Sequence, residues 1–259
     1  MLPHRRTGAH LSRAQHIYAG CLLALFALVW LAAAWQPWLR GAWLLENIPV
    51  LALVAILLLS YRTLPLSRIS YTALFIFLCL HEIGAHFTYS RVPYDIWWED
   101  IFGYSLNNQM DWQRNHYDRF VHALYGVLSA YPVREVFLRV ADVRGFWGYL
   151  LPVLVVMSTS LLFELFEWLV VILFAGDVGM AYLGIQGDIW DSHKDAALAS
   201  LGAVGTMTLA GVIQSSLDRD FSREWNASVT VKHPQPLGEV AIERLLQDNQ
   251  STSADPDRR

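Results

Sequence analysis

The chain reads as an all-α membrane protein, a polytopic transmembrane helical bundle of about six spans with both termini cytoplasmic. Sparse charge, apolar runs of membrane length and a lopsided distribution of arginine all point there. Of its 259 residues, 54% are hydrophobic and only 16% charged, and the mean hydropathy is positive. That charge content is low for a soluble domain and ordinary for a membrane one. Crossing a hydrocarbon layer of roughly 30 Å takes about 20 apolar residues in a helix. A soluble helical protein with buried core helices is the weaker alternative. A net charge of −4, with no basic domain, excludes a nucleic-acid binder.

Six apolar segments follow in order, at about 16–35, 44–61, 70–88, 118–133, 147–174 and 193–213. The first lies behind "HRRTGAHLSR" like a signal peptide, but its apolar stretch is longer than a signal core and more spans follow. An uncleaved first helix is therefore expected. The fourth is short, with 14 residues between Arg119 and Arg134. A re-entrant loop there would carry the next three arginines outward, against the usual bias, so a span is preferred. This divides the chain into a cytoplasmic segment 1–15, a transmembrane domain 16–213 and a polar, poorly ordered cytoplasmic tail 214–259. Cys21 and Cys79 belong to different depths, too far apart for a disulfide.

Orientation follows from the short loops. Arg5, Arg6, Arg13, Arg62, Arg68, Arg134, Arg139 and Arg144 fall on one side, against Arg40, Arg91 and Arg114 on the other. The loops 91–117 and 175–192 should then face outward, with the Trp- and acid-rich "DIWWED" lying at the interface.

With that orientation the ionisable residues collect at one depth. His81, Glu82 and His86 lie in the outer half of the third span, and Asp118, Arg119 and His122 open the fourth. Glu164 and Glu167 lie past the middle of the fifth, and Asp188, Asp191, His193, Lys194 and Asp195 lead into the sixth. Charges inside a membrane are costly and usually face a bundle interior or a wet cavity. The pairs 82/86, 118/122 and 191/195 are i,i+4 and the pair 164/167 is i,i+3, so each shares a helical face. One outward-open polar site is the simplest packing. It predicts Glu82 or His86 within hydrogen-bond reach of Asp118, Arg119 or His122, with Glu164 or Glu167 in the same pocket.

Seven acids there (Glu46 left aside) meet two permanent cations, leaving five surplus negative charges. Protons, histidine cations, solvent or a metal must compensate them. A mixed imidazole–carboxylate set suits Zn, Mn or Fe. The candidate metal ligands are His81, Glu82, His86, His122, Glu164, Asp188, Asp191 and Asp195, and a divalent metal ion is the one cofactor the pattern suggests. "HEIGAH" is not a zincin motif, because five helical steps turn His86 about 140° from His81. The candidate catalytic residues are Glu82, His86, Asp118, His122, Glu164 and Glu167, with Arg119 and Lys194 to hold an anionic headgroup. A hydrogen-bonded acid–histidine network that only braces the bundle is the competing interpretation. Neither a phosphate-binding glycine loop nor a G-x-S-x-G elbow occurs. The small residues Gly202, Ala203 and Gly205 suggest close helix packing.

The stretches "HEIGAHFTYSRVPYD", "YDRFVHALYG", "ELFEWL" and "QGDIWDSHKDAALASLGA" together resemble the family of bacterial inner-membrane proteins typified by YjdF, over about residues 15 to 212. More distantly, Asp118 to His122, the 164/167 acids and the 191/195 segment look like the VanZ-like membrane family. The resemblance implies a multi-pass helical protein of the cytoplasmic membrane, in contact with lipids, and brings no established reaction. The function expected from the depth pattern is an enzyme acting on an outer-leaflet lipid or envelope precursor. A binding or transport protein for a cation or small solute is the alternative, and a purely structural membrane protein the third. A transporter needs alternating access to a midplane site, which the nearly uncharged inner halves do not supply.

Overall fold

The computed structural model describes residues 12–173, 186–232, 234 and 236–253. Among them lie ten helices and no β-strand. Helix α1 (Arg13–Ala34) opens on a capping box. The Gln15 amide donates to Ser12 Oγ, and the Ser12 amide donates to Gln15 Oε1. Helices α2 (Arg40–Ser60) and α3 (Arg68–Phe87) follow, α3 being capped by Ser67 Oγ. The short α4 (Tyr94–Phe102) and α5 (Leu106–Gln109) precede α6 (Tyr117–Val140), α7 (Trp147–Leu173) and α8 (Asp191–Leu217). Helices α9 (Phe221–Val229) and α10 (Leu237–Ser253) complete the described residues.

Five helices, α1, α2, α3, α7 and α8, are long and apolar enough to cross a membrane. Helix α6 has 24 residues, about 36 Å at 1.5 Å each, so its length matches theirs. Its polarity sets it apart. His122, Ser129 and Arg134 are buried while Phe120 and Val127 are exposed, so its polar side faces the bundle. The short apolar run seen in the sequence underestimates this helix, which continues through Pro132 to Val140. A proline is tolerated in such a helix because neighbours re-satisfy the freed backbone groups.

Side-chain contacts fix the directions. Tyr18 Oη meets Thr72 Oγ1 at 2.5 Å near the starts of α1 and α3, and His86 Nδ1 meets the Ala33 carbonyl at 2.9 Å near their ends. These two helices run parallel. Tyr117 Oη donates to the Leu80 carbonyl while Ser67 N donates to Glu135, so α6 runs opposite to α3. Arg134 reaches Gln214 at 2.7 Å, and Arg119 pairs with Asp191, so α8 runs beside α6 in the same sense. Glu46, early in α2, lies beside His81, late in α3, so α2 runs with α6 and α8, whereas Glu164, late in α7, lies beside His122, early in α6, so α7 runs with α1 and α3. The bundle thus has an arginine-rich end and an acidic end.

The α6–α8 seam is the tightest contact. A Cβ on Gly126 would collide with the Ala199 carbonyl, and one on Gly202 with the Ala123 carbonyl. Ala130, Ala199 and Ala203 are fully buried along the same line. Small residues permit this backbone approach, as at other membrane helix contacts. Gly202 and Ala203 therefore serve the packing read from the sequence, whereas Gly205 faces open space.

At the arginine-rich end Glu135 accepts from Ser67 N (2.8 Å), Ser70 Oγ (2.5 Å) and Arg139 (2.8 Å), knotting α3 to α6. Where the sequence suggested a poorly ordered tail, α8 continues to Leu217 and α9 folds back. The ring of Trp225 on α9 packs against Phe146 and Tyr149, and the Phe146 amide donates to Ser228 Oγ. The free thiols Cys21 and Cys79 are exposed and half-buried. Arg5, Arg6 and most of the loop expected after 174 lie outside the described residues.

Candidate functional site

The acidic end is built by three helices whose polar turns converge. The first two turns of α6 carry Asp118, Arg119 and His122, α7 brings Glu164 and Glu167, and α8 starts with Asp191 and Asp195. Asp118 and Asp191 occupy first turns, where the helix dipole favours negative charge.

The contacts fall into two layers. In the outer layer Arg114 grips Asp191 through two bonds, Nη1–Oδ1 at 2.5 Å and Nη2–Oδ2 at 3.0 Å. Arg119 bonds Asp188 and lies 3.2 Å from Asp191 Oδ1, and Lys194 Nζ is 2.6 Å from Asp188 Oδ2. Lys194, the Trp190 amide and Arg119 hold the Asp188 carboxyl well below the usual carboxylate range. Next to them burial, then the charges of Arg119 and Arg114, push the His116 imidazole below its ordinary value.

One turn deeper the cations stop. His122 Nε2 lies 3.5 Å from Asp118 Oδ1 and 3.4 Å from Glu164 Oε1. Asp118, His122 and Asp195 each offer a ligand atom within 4.8 Å of the others. Two ligands at about 2.1 Å from a tetrahedral ion stand about 3.4 Å apart, so the pairs at His122 already have that spacing. Glu164 Oε1 and Asp195 Oδ1 are buried and accept no hydrogen bond. Asp195 is 2% exposed and Glu164 6%. Leaving a buried charged oxygen unpaired costs several kcal/mol, and a cation among these four side chains would remove that cost. Glu167, also buried, is the immediate neighbour of Glu164 on the same face of α7.

Helix α3 contributes differently from expectation. His81, rather than Glu82, faces α6. Tyr89 Oη is 2.6 Å from His81 Nδ1, and His81 Nε2 is 3.1 Å from the Glu46 carbonyl and 3.8 Å from Glu46 Oε2. A carbonyl only accepts, so Nε2 carries the proton and the Tyr89 hydroxyl donates to Nδ1. Tyr89 gets there because α3 ends in two left-handed residues, Thr88 (φ 57°) and Tyr89 (φ 50°), which fold the chain back. The tyrosine ring then lies where a Cβ on residue 84 would be, so Gly84 is required.

Glu82 is fully buried against Trp43 and Asn47 of α2, and no hydrogen bond or ion pair joins it to Asp118, Arg119 or His122. His86 sits on the Ala33 carbonyl and the Phe87 ring, tying α3 to α1. The expected contact of Glu82 or His86 with the α6 residues is therefore corrected. Helical rotation of about 100° per residue separates position 81 from 82, and the depth of a residue in a span does not fix which neighbour it faces. Of the candidate ligands, His122, Glu164 and Asp195 converge, joined by Asp118. Asp188 and Asp191 are held by arginines, and Arg119 and Lys194 are ion-paired rather than free for an anion. Glu46, expected at this end but left outside the site, joins it, and Arg114 and Tyr89 are additions the sequence reading does not make. The surplus of negative charge was the signal for Arg114, the loop cation nearest in sequence to Asp118.

A family model described as "Predicted membrane protein (DUF2238)" matches residues 18–216, which contain every side chain of both layers. The chain is similar to "Inner membrane protein YjdF" of Escherichia coli (strain K12). The two are 33% identical over 166 residues, covering 64% of this chain and 75% of that protein. No solved structure matches. The more distant VanZ-like resemblance is not shown by these comparisons.

Proposed function

This chain belongs to the DUF2238 family of predicted membrane proteins, and from that premise we propose that it is a multi-pass inner-membrane enzyme with a divalent-metal centre formed by Asp118, His122, Glu164 and Asp195. The reaction that fits is hydrolysis of an ester or phosphoester in the headgroup of an outer-leaflet lipid or envelope precursor. One observation carries the reading. Asp118, His122 and Asp195 offer ligand atoms within 4.8 Å of one another with Glu164 against His122, two buried oxygens of the set accept no hydrogen bond, and His122 Nε2 stands at ligand spacing from two carboxylates.

An imidazole with three carboxylates suits Zn, Mn or Fe. Such an ion would acidify a water and polarise the oxygen of the scissile group. The protein's own side chains do the rest. Glu167, beside Glu164, takes the proton of the attacking water and returns it to the leaving oxygen as the ester bond breaks. Arg114 and Arg119 hold Asp191 and Asp188 in place at the mouth. On the α6–α8 side the glycine–alanine seam leaves no room for a polar path toward the arginine-rich end, which favours a catalytic pocket over a transport path.

The test is turnover. Full-length protein in vesicles of a bacterial polar-lipid extract is supplied with zinc or manganese, and released water-soluble headgroup is measured by mass spectrometry. Release by the wild type, lost in His122→Ala and Asp195→Asn, is expected. No release by the wild type, or equal release by His122→Ala, overturns the reading.

A further inference from the structure

A second feature of the bundle points to the kind of molecule that meets this centre. A cavity of about 360 Å³ lies between α2, α3, α6 and α7, directly beneath His81 and His122, which line its upper wall. Most of the remaining lining is apolar, including Val50, Leu53, Ile56, Phe77, Val121 and Phe163. Tyr125 Oη and Thr159 Oγ1, both on its lining, meet at 2.5 Å and tie α6 to α7. Helices α2 and α7 touch at the acidic end, where Ala42 and Val170 are buried together with Leu39, Leu45 and Phe166 around them. Further from that end they part, and Ile56 at the lower edge of the gap is 61% exposed. The opening is thus lateral, at the depth of two helices apolar enough to cross a membrane, where the surrounding medium is acyl chain. Pro49 to Ile56 spans about 10 Å along α2.

We infer that this cavity holds one acyl chain of a membrane phospholipid, entering between α2 and α7, so that its headgroup lies at His122. His122 borders both the polar and the apolar site. A lipid seated this way points its chain toward the membrane middle and its head toward the acidic end, as in one leaflet of a bilayer. The acyl site rests on the apolar geometry alone. That the seated lipid is the substrate rests on the function proposed above.

Photolabelling separates the two. Full-length protein is reconstituted in vesicles of phosphatidylethanolamine and phosphatidylglycerol carrying a diazirine-acyl phospholipid, irradiated, and the labelled peptides are mapped. Label concentrated on residues 49–56 of α2 and 159–163 of α7 is expected. Leu53→Trp, which fills the cavity, should lower that label by about tenfold, the effect of losing the burial of two methylenes, while the bound metal is unchanged. Label spread evenly over outward residues such as Leu59 and Leu165 overturns the acyl site, as does undiminished label in a folded Leu53→Trp. Should Leu53→Trp not fold, the wild-type map alone decides. Crosslinked dimers through α2 and α7 with no label in the gap assign it to a second copy and also overturn it. Label in the gap of a metal-free protein leaves the acyl site standing and removes only the metalloenzyme.

Discussion

Removing the Arg114 guanidinium measures how much the outer layer contributes. Arg114→Ala deletes two bonds to Asp191, at 2.5 and 3.0 Å, in a pair whose side chains are 12% and 4% exposed. Breaking a buried pair and stranding one partner typically costs about 3–5 kcal/mol. Arg119, 3.2 Å from the same carboxylate, remains and takes up part of the charge, so the expected loss is at the lower end, about 3 kcal/mol. Asp191→Asn strands no anion and should cost about 1–2 kcal/mol. In the double variant the missing guanidinium should add little, giving a coupling of about 2 kcal/mol. Thermal unfolding of detergent-purified wild type, both singles and the double variant supplies the cycle. A loss under about 0.5 kcal/mol for Arg114→Ala, the scale of an ordinary surface change, would refute the two-layer description, as would zero coupling.

The seam makes a sharp contrast. Gly126→Val should abolish folded protein on size-exclusion chromatography, while Gly205→Ala, with open space around it, should fold and gain up to about 1 kcal/mol of helix propensity. Acid should weaken the mouth in two windows. His116, held below its ordinary 6.5, contributes stability that is complete above that value and is lost as pH falls below it. Asp188, held below its ordinary 3.8, contributes stability present above that value and lost as pH falls through its lower folded value. His116→Phe should flatten the melting-temperature profile below about pH 6.5, and Asp188→Asn only below about pH 4; unchanged profiles would count against both assignments. Glu164→Gln should fold like the wild type yet lose activity, whereas Glu164→Leu should also melt lower. Indistinguishable behaviour of the two with full activity would remove Glu164 from the centre.

Much of this architecture was legible in the chain. Apolar runs marked the helices, and the depth of each ionisable residue followed from span direction, so Asp118, His122, Glu164 and Asp195 were expected at one end and are found together. Rotation about the helix axis was not legible. Packing sets it, and the i,i+4 spacing of Glu82 and His86 points to position 82 where His81 faces the centre. The length of α6 was hidden for a related reason, since Arg134 lies within the helix and pairs with Gln214 in the interior. Hydropathy counts such a residue as a boundary. The reach of Arg114 depends on the fold of the preceding loop. There Tyr94, Asp95 and Asn107 bond one another's neighbourhood, and Asn115 N donates to Gln186 Oε1 across to the start of the next turn. The packed α9 escaped notice because its Phe221 and Trp225 are too few to form an apolar run.

The most direct test of the central claim is the metal content of the protein. Full-length chain is purified in detergent, dialysed against buffer containing trace zinc, manganese and iron, and its bound metal counted by mass spectrometry. About one divalent ion per chain is expected in the wild type, lost in His122→Ala and in Asp195→Asn, and retained in Tyr89→Phe, which removes only the hydroxyl bonded to His81. A wild-type chain that stays metal-free, or a His122→Ala variant that binds as much as the wild type, would contradict it.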